Sequence, residues 1–232
     1  MRILALETST ESCSVALWQD GALCWRLEAE AARRHGALIL DQIDAVLDEA
    51  GIRPAQLDAV AVTRGPGAFT GVRLGLGVAQ GLAFALDRPI LLISSLQALA
   101  QQILSDSPRS TLPIADDLQI LALLDARMGE VYWAWHTHRH GLCQPGTEAL
   151  SPPEQITAPP NGHPWAVLGP GLAAYPLVVD KLDETQHVAI WPQACPRAQE
   201  VALLAAAAWE RGEAIAPEHA APVYLRDQVV QV

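Results

Sequence analysis

The segment from Gly65 to Gly81 constrains the fold of this chain more strongly than any other stretch. It holds six glycines in 17 residues, yet from Gly71 onward the residues between them are mostly apolar, with no Ser, Asn or Asp. This pattern is typical of an apolar helix in which glycines stand at several positions that would normally carry a side chain. Each glycine inside a helix costs about 1 kcal/mol relative to alanine, so another contact must offset the loss. We expect a second backbone to approach this helix closely.

The composition indicates a folded, acidic protein. Half of the 232 residues are hydrophobic and 18% are charged, which is enough apolar surface for one large domain or two small ones. With 15 basic and 26 acidic residues, the net charge is −11. A stand-alone nucleic-acid binder is usually basic. If this chain acts on nucleic acid, we expect a partner to supply most of the phosphate contacts.

The sequence also predicts a compartment. The four cysteines form no C-x-x-C pair, which favours reduced thiols. The apolar run before the acidic Glu7, Ile3 to Leu6, has only four residues, too few for a signal peptide. We find no apolar run near the roughly 18 residues that span a membrane. These features predict a cytoplasmic protein without a membrane contact.

Hydrophobic periodicity predicts an α/β fold with a mixed sheet. The order over the first 105 residues is β-β-β-α-β-α-β-α, with strands at 3–7, 13–18, 23–28, 57–63 and 89–93 and helices at 40–50, 71–85 and 95–104. Two hairpins followed by βαβα give a sheet that is antiparallel at first and parallel afterwards. This is the pattern of the ribonuclease H-like half of actin-like folds.

The remaining residues predict a second, smaller domain. A polar, proline-containing linker begins at Asp106, and the strands and helix that follow resemble a degenerate copy of the first half. We expect strands at 120–124, 130–137, 142–148 and 165–168, a proline-rich loop at 151–164 and a helix at 196–211. The predicted domains are therefore 1–105 and 106–232, in an actin-like two-domain fold.

The glycine-rich loop does not match a nucleotide-binding motif. A Walker A loop needs Lys and then Ser or Thr after its last glycine, but Val72 and Arg73 follow Gly71. No acid lies at the position that a dinucleotide fingerprint requires. A loop between a strand and a helix can still bind an anion through free amides. A tight turn with close helix packing explains the same glycines.

A second candidate anion site lies at the end of the first predicted strand. Glu7 is followed by three hydroxyl-bearing residues, Thr8, Ser9 and Thr10. In actin-like folds an acid and a hydroxyl-rich hairpin at this place face nucleotide phosphates, whereas hydroxyls also stabilise ordinary turns. Both interpretations remain open, and the candidate anion-facing residues are Glu7, Thr8, Ser9, Thr10, Gly65 and Gly67.

No complete catalytic or metal-binding set is visible in the sequence. His136, His138 and His140 share one side of a predicted strand, but same-side residues lie about 6.8 Å apart, too far for all three to ligate one zinc ion. We expect an exposed polar hairpin there. The residues Asp125 to Tyr132 fit either a ligand contact or an ion pair that braces a hairpin. We predict no catalytic residue, no metal and no cofactor.

Four blocks of sequence resemble one known family. They are Ile3 to Thr10, Gly65 to Gly81, Leu124-Asp125-Ala126-Arg127 with Glu130-Val131-Tyr132, and Pro222-Val223-Tyr224-Leu225-Arg226. In order and over the whole chain they are similar to TsaB, also called YeaZ. This family is required for N6-threonylcarbamoyladenosine in tRNA and is related to TsaD and to the M22 glycoprotease group. TsaD-like chains are longer and carry an H-x-x-x-H metal pair, and no such pair lies near His35 in this sequence.

The resemblance implies a non-catalytic subunit that binds and activates TsaD and helps to recruit the ATPase TsaE. It implies a homodimer when TsaD is absent, and contact with tRNA only through the complex. The alternative is an enzyme, either an actin-like ATPase or an M22-type metallopeptidase. Ala68 departs from the serine that the family usually has, which weakens a phosphate site in this loop.

The resemblance also implies an interface. In the family, the helices matching 35–50 and 70–86 pack against the same helices of TsaD or of a second TsaB. The predicted interface residues are His35, Leu38, Ile39, Gln42, Ile43, Thr70, Gly71, Arg73, Leu74, Gly75, Gly77, Val78, Gly81 and Leu82. The i, i+4 spacing of Gly71 with Gly75 and of Gly77 with Gly81 fits a close helix–helix approach.

Overall fold

The structure, a computed structural model, describes residues 1–28, 31, 34–106, 116–159, 163–180, 182 and 187–226. The chain divides into two compact units. Unit 1 contains Met1–Ala98 and Pro196–Val223, and unit 2 contains Leu99–Cys195 and begins again at Tyr224. The sequence predicted a single boundary, at residue 105. In the structure the first stretch of unit 1 ends at Ala98, and residues 196–223 complete this unit by packing on its sheet.

Unit 1 is built on the predicted mixed sheet. Its strands are β1 (Arg2–Glu7), β2 (Cys13–Gln19), β3 (Ala22–Glu28), β4 (Ala59–Thr63) and β5 (Ile90–Ile93). They lie in the order β3-β2-β1-β4-β5. The first three pair antiparallel, and β4 and β5 continue parallel to β1. The carboxyl ends of β1 and β4 therefore lie side by side, which is where open α/β sheets usually place functional residues.

Two helices cover one face of this sheet. Helix α1 (His35–Ala50) packs on β2 and β3, and α2 (Phe69–Leu86) packs mainly on β4. Between them and the strands lies an aliphatic core that includes Leu4, Leu6 and Val62. The boundaries follow simple signals, since α1 ends at Gly51 with a left-handed φ of 66°.

Helix α2 corrects one expectation from the sequence. Its 18 residues are, by length and composition, long and apolar enough to cross a membrane, although we expected no such run. In the structure it lies on the sheet of unit 1 and buries only six residues, among them Val72, Leu76 and Ala79. Seven further residues of the helix are exposed, and these are left for water or for a partner.

The other face of the sheet is covered by a helix from the end of the chain. Helix α6 (Ala198–Glu210) packs on β1, β2, β4 and β5. Alanines are fully buried on both sides of this contact, for example Ala5 and Ala61 in the strands and Ala202 in the helix. The Ser14 hydroxyl on β2 accepts a hydrogen bond from the Ala198 amide (2.9 Å), which satisfies a donor at the helix start. This packing explains why residues 196–223 belong to unit 1.

Unit 2 repeats the strand order of unit 1. Its strands are β6 (Gln119–Arg127), β7 (Glu130–Arg139), β8 (Leu142–Cys143), β9 (Ala149–Ser151), β10 (Trp165–Leu168) and β11 (His187–Trp191). The path β8-β7-β6-β10-β11 matches β3-β2-β1-β4-β5, with the same antiparallel and parallel pairings. The actin-like fold with a degenerate second copy is thus confirmed.

The second copy has shorter helices than the first. Helix α3 (Ser95–Asp106) leads into unit 2, and among the described residues between β10 and β11 the helices are the short α4 (Gly171–Ala174) and α5 (Leu177–Asp180). The sequence did not predict α4, α5 or β11, and the strand expected at 142–148 is split into β8 and β9. Two tryptophans hold the loop that follows β9, since Trp133 donates to the Ser151 hydroxyl and Trp135 to the Thr157 carbonyl.

Candidate functional site

The turn between β1 and β2 packs directly against the start of α2. We call residues Thr8–Ser12 the β1–β2 turn. The Thr8 hydroxyl donates to the Gly71 carbonyl (2.8 Å), and the Ser9 carbonyl accepts from the Ala68 amide (2.7 Å). Thr8 and Ser9 are almost fully buried. Thr8 and Ser9, two of the six residues predicted to face an anion, therefore bind the start of the protein's own helix α2.

Three of the glycines make room for this turn. A β-carbon at Gly67 would overlap the Ser9 carbonyl oxygen, one at Gly71 would overlap the Thr8 carbonyl oxygen, and one at Gly75 would overlap the Thr8 hydroxyl. We predicted that Gly71 and Gly75 clear space for a partner helix. In the structure both glycines instead face Thr8 of the same chain, Gly71 its backbone carbonyl and Gly75 its side chain.

The same contact engages one amide of the proposed anion cradle. An anion at a helix start needs free backbone amides, but the Ala68 amide is already bound and the Thr8 carbonyl lies against Gly71. Gly65 and Gly67 flank this turn, and Gly65 has a φ of 96° with its carbonyl accepting from the Ser95 amide. The arrangement supports the tight-turn interpretation of the loop.

Glu7 lies buried at the end of β1, beside Thr63 at the end of β4. Its carboxylate accepts hydrogen bonds from the Ser9 amide and from the Ser9 hydroxyl (2.6 Å). Burial raises the pKa of Glu7, and the Ser9 and Thr63 side chains, the Ser9 amide and the His35 charge oppose that rise. In this structure the carboxylate stabilises the β1–β2 turn.

His35 and Gln42, two predicted interface residues, point toward the first hairpin. The His35 Nε2 atom lies 3.0 Å from both the Thr10 and the Ser12 carbonyl oxygens, so this nitrogen carries the proton and donates. Gln42 donates to the Cys13 carbonyl. Both side chains tie α1 to the hairpin, His35 through the Thr10 backbone carbonyl and Gln42 through the Cys13 carbonyl.

The remaining predicted interface residues divide by exposure. Ile39 and Ile43 are buried in the core, and Leu38, Leu74, Val78 and Leu82 are half-buried beside it. Four are exposed on α2, namely Thr70, Arg73, Gly77 and Gly81. A β-carbon at Gly77 or Gly81 would meet nothing within 4 Å. These two glycines therefore expose open backbone, as the partner-helix interpretation requires.

Sequence reasoning missed the large side chains on this surface. Phe84 is 78% exposed, Leu40 55% and Phe69 50%. The Arg73 guanidinium lies over the Phe69 ring, 3.5 Å from its centroid, which holds both side chains in place. We define the outer face as Leu40 of α1 with Phe69, Thr70, Arg73, Gly77, Gly81 and Phe84 of α2. Exposed aromatic residues around open backbone are typical of protein interfaces.

The histidines of unit 2 do not form the exposed hairpin that we expected. Of the three histidines on the predicted strand, His136 and His138 are buried and His140 is exposed. His136 Nδ1 lies 3.0 Å from the Gln144 carbonyl oxygen, and His138 Nε2 accepts from the Gly141 amide. Within the described part of the chain, no group of three His, Cys, Asp or Glu side chains could hold a metal ion.

The hairpin at Asp125 is braced by ion pairs. The Arg127 guanidinium lies 3.2 Å from the Asp125 carboxylate, and Glu130 pairs with Arg226 at 2.7 Å. Arg226 also donates to the Ala126 carbonyl. Of the two interpretations left open by the sequence, these contacts support the structural one, and they bring two of the resembling blocks together in unit 2.

Comparison with known proteins identifies close relatives of this fold. The family model described as TsaD, tRNA N6-adenosine threonylcarbamoyltransferase, matches residues 29–232. The tRNA threonylcarbamoyladenosine biosynthesis protein TsaB of Escherichia coli is 37% identical, covering 99% of this chain and 96% of the relative. Its Haemophilus influenzae counterpart is 34% identical, covering 99% and 95%. The structure of YeaZ from Pseudomonas aeruginosa, 40% identical, superposes with a TM-score of 0.85 over 97% of this chain and 99% of that one.

The two roles of glycine in α2 give a first prediction. Gly71→Ala is expected to lower the free energy of unfolding by about 2 kcal/mol or more, because the new methyl group overlaps the Thr8 carbonyl. Gly77→Ala is expected to raise it by up to about 1 kcal/mol, because alanine favours the helix and meets open space. Urea denaturation of the two variants measures the difference. Equal effects would contradict the assignment of the two glycines.

Burial of His136 gives a second prediction. Burial lowers the pKa of His136 from its ordinary 6.5 to about 4. The unfolded chain therefore binds a proton that the folded chain rejects, so stability is complete above pH 6.5 and falls as the pH drops toward 4. We expect the free energy of unfolding to fall by about 3 kcal/mol over this pH range because of His136. The His136→Asn variant, which lacks the titrating group, should not show this part of the pH dependence. The same pH profile in both proteins would overturn this assignment.

Proposed function

The chain belongs to the TsaB family of tRNA threonylcarbamoyladenosine biosynthesis proteins, and from this premise we propose that it is a non-catalytic subunit that binds and activates the transferase TsaD. The family places the chain in the biosynthesis of this tRNA modification. The finer role, as a partner rather than an enzyme, is our inference from the site described above. Two observations support it: the exposed outer face, and the contact between the β1–β2 turn and the start of α2.

The outer face is the single observation that carries this proposal. Helix α2 buries six of its 18 residues, although it is the most apolar helix of unit 1. Its exposed side combines the open backbone at Gly77 and Gly81 with the aromatic rings of Phe69 and Phe84. Apolar surface that is left in water favours association, and small residues allow a partner helix to come close. A helix pair of TsaD fits this requirement.

The filled glycine loop supports a non-catalytic role. A nucleotide-using enzyme of this fold needs space and free amides in front of the first helix of its βαβ unit. Here Thr8 and Ser9 occupy that space through their own hydrogen bonds to α2. The carboxylate of Glu7 is engaged by Ser9 and is completely buried.

The remaining parts of the proposal follow from the family. We place the protein in the cytoplasm, in a complex that includes TsaD and the ATPase TsaE, and we propose that TsaE is recruited only when TsaD is bound. tRNA is contacted mainly by the other subunits, consistent with the net charge of −11. In the absence of TsaD, the outer face would pair with a second copy of the chain.

A substitution on the outer face tests the binding role. Gly77→Leu is expected to leave the fold intact, because leucine favours the helix and the position is open. We expect it to weaken binding to TsaD at least 100-fold, because the side chain blocks close helix contact. Ala173→Leu, at an exposed position of α4 in unit 2, is the matched control. Unchanged affinity of the Gly77 variant, measured by calorimetry, would refute the proposed interface.

Reconstitution tests the proposed role in the complex. TsaD, TsaE and a supply of the activated threonylcarbamoyl donor are assayed for modified tRNA with this chain included and omitted. We expect product only when the chain is present, and none from the chain alone. Full activity without the chain would contradict activation of TsaD. ATP hydrolysis or metal-dependent proteolysis by the chain alone would favour the enzyme alternative.

A further inference from the structure

The carboxyl group of Glu7 receives its hydrogen bonds on one oxygen. Oε1 accepts from the Ser9 amide and from the Ser9 hydroxyl at 2.6 Å, which uses both of its lone pairs. Oε2 has no hydrogen-bond partner within the described residues, although the whole side chain is buried. An ionised carboxylate spreads its charge over both oxygens and accepts on each. The observed asymmetry instead matches a neutral carboxylic acid, whose carbonyl oxygen accepts and whose hydroxyl oxygen carries the proton.

An acceptor for that proton lies on the neighbouring strand. Leu6 pairs with Val62 in parallel register, so Glu7 and Thr63 follow side by side at the carboxyl ends of β1 and β4. Thr63 is buried, and its Oγ1 atom likewise makes no hydrogen bond in the described part of the chain. The Thr63 side chain is close enough to act on the pKa of Glu7. One proton on Oε2, donated to Oγ1, would therefore satisfy two buried oxygen atoms.

The surroundings of Glu7 do little to stabilise a negative charge. Helix α6, which packs on β1, begins with Arg197 and Glu200, whose charges pair with each other at 2.7 Å. On α2, the Arg73 guanidinium lies over an aromatic ring of its own helix. Burial has the largest effect on the pKa of Glu7 and raises it, whereas the charge of His35 on α1 is the smallest of the effects that lower it. A buried acid without a paired cation takes up a proton rather than keep its charge.

We propose that Glu7 is a neutral carboxylic acid in the folded protein, with its proton on Oε2, and that this neutral group positions the start of α2 through Ser9. Ser9 connects the two, because its amide and hydroxyl donate to Glu7 while its carbonyl accepts from the Ala68 amide. Ionisation of Glu7 places an uncompensated charge inside this buried assembly and loosens it. This role of Glu7 is independent of the proposed function.

A neutral Glu7 makes the stability of the fold decrease as the pH rises. Above the ordinary Glu pKa of 4.5, the unfolded chain has lost this proton while the folded chain keeps it. Each further pH unit therefore raises the unfolding equilibrium constant about tenfold, until the folded protein also ionises. His136 acts in the opposite direction, since it weakens the fold below pH 6.5. The contribution of Glu7 is therefore measured above that pH.

The experiment compares Glu7→Gln with Glu218→Gln. Glutamine reproduces the neutral acid, since its carbonyl can accept from Ser9 and its NH₂ group can donate to Thr63. Glu218 is exposed and is the control for the loss of one carboxyl group. Urea denaturation of both variants and of the unchanged protein is measured from about pH 6.5 to about pH 8.5. Relative to Glu7→Gln, the unfolding constants of the unchanged protein and of the control should rise about tenfold or more over this range.

Two further measurements test the proton and the positioning of α2. In infrared spectra at about pH 7, the unchanged protein should show the C=O stretch of one neutral carboxylic acid, which Glu7→Gln lacks. At about pH 8.5 the Ala68 amide should exchange its hydrogen about tenfold faster in the unchanged protein than in Glu7→Gln, and at about pH 6 the two rates should agree.

The outcomes separate the two parts of the proposal. If Glu7→Gln has the same pH profile as the control, or if the unchanged protein lacks the band of a neutral acid, Glu7 is ionised, its Oε2 is bound by water or a cation, and the proposal is wrong. If the pH profiles differ but exchange at Ala68 is the same in both proteins, the positioning of α2 is refuted. Failure of Glu7→Gln to fold would also contradict the proposal, because the amide reproduces the hydrogen bonds of the neutral acid.

Discussion

Unit 1 depends on the insertion of Thr8 against the glycine-bearing face of α2. The Thr8 hydroxyl binds the Gly71 carbonyl, and its backbone oxygen occupies the space where a side chain at position 71 would lie. The neighbouring Ser9 links this contact to Ala68 on one side and to Glu7 on the other. The end of β1, the turn and the helix start thus form one buried hydrogen-bonded assembly, in which the Glu7 Oε2 atom alone among these carboxylate oxygens finds no partner within the described residues.

The same helix uses glycine for two purposes on opposite sides. Toward the sheet, Gly71 makes room for the Thr8 backbone and Gly75 for the Thr8 side chain, and toward solvent, Gly77 and Gly81 leave the helix without side chains. Seven residues of this apolar helix stay exposed, and they provide the surface that the proposed interface uses. The inward contact positions α2 on the sheet, and the outward surface becomes available because of that position.

The two sheets of the chain have the same strand order. The last helix, α6, covers the open face of the first sheet. Helix α6 covers the alanine-lined face of β1, β2 and β4, and its first amide is bound by Ser14. Alanine on both sides allows the helix to lie close to the sheet, where larger side chains would be overpacked. Folding of unit 1 therefore requires residues from both ends of the chain.

The sequence by itself determined the α/β order of the first half, the duplicated mixed sheet and the lack of a Walker motif, because these follow from local periodicity and spacing at sites such as Gly71 and Val72. The resemblance to TsaB predicted an interface on α1 and α2, and this stays a prediction. Only the tertiary structure decided which glycines face inward, that His35 and Gln42 hold the hairpin, that His136 is buried and that α6 belongs to unit 1. These outcomes depend on contacts between residues far apart in the chain, such as Thr8 with Gly71 and Ser14 with Ala198, which no local pattern of spacing records.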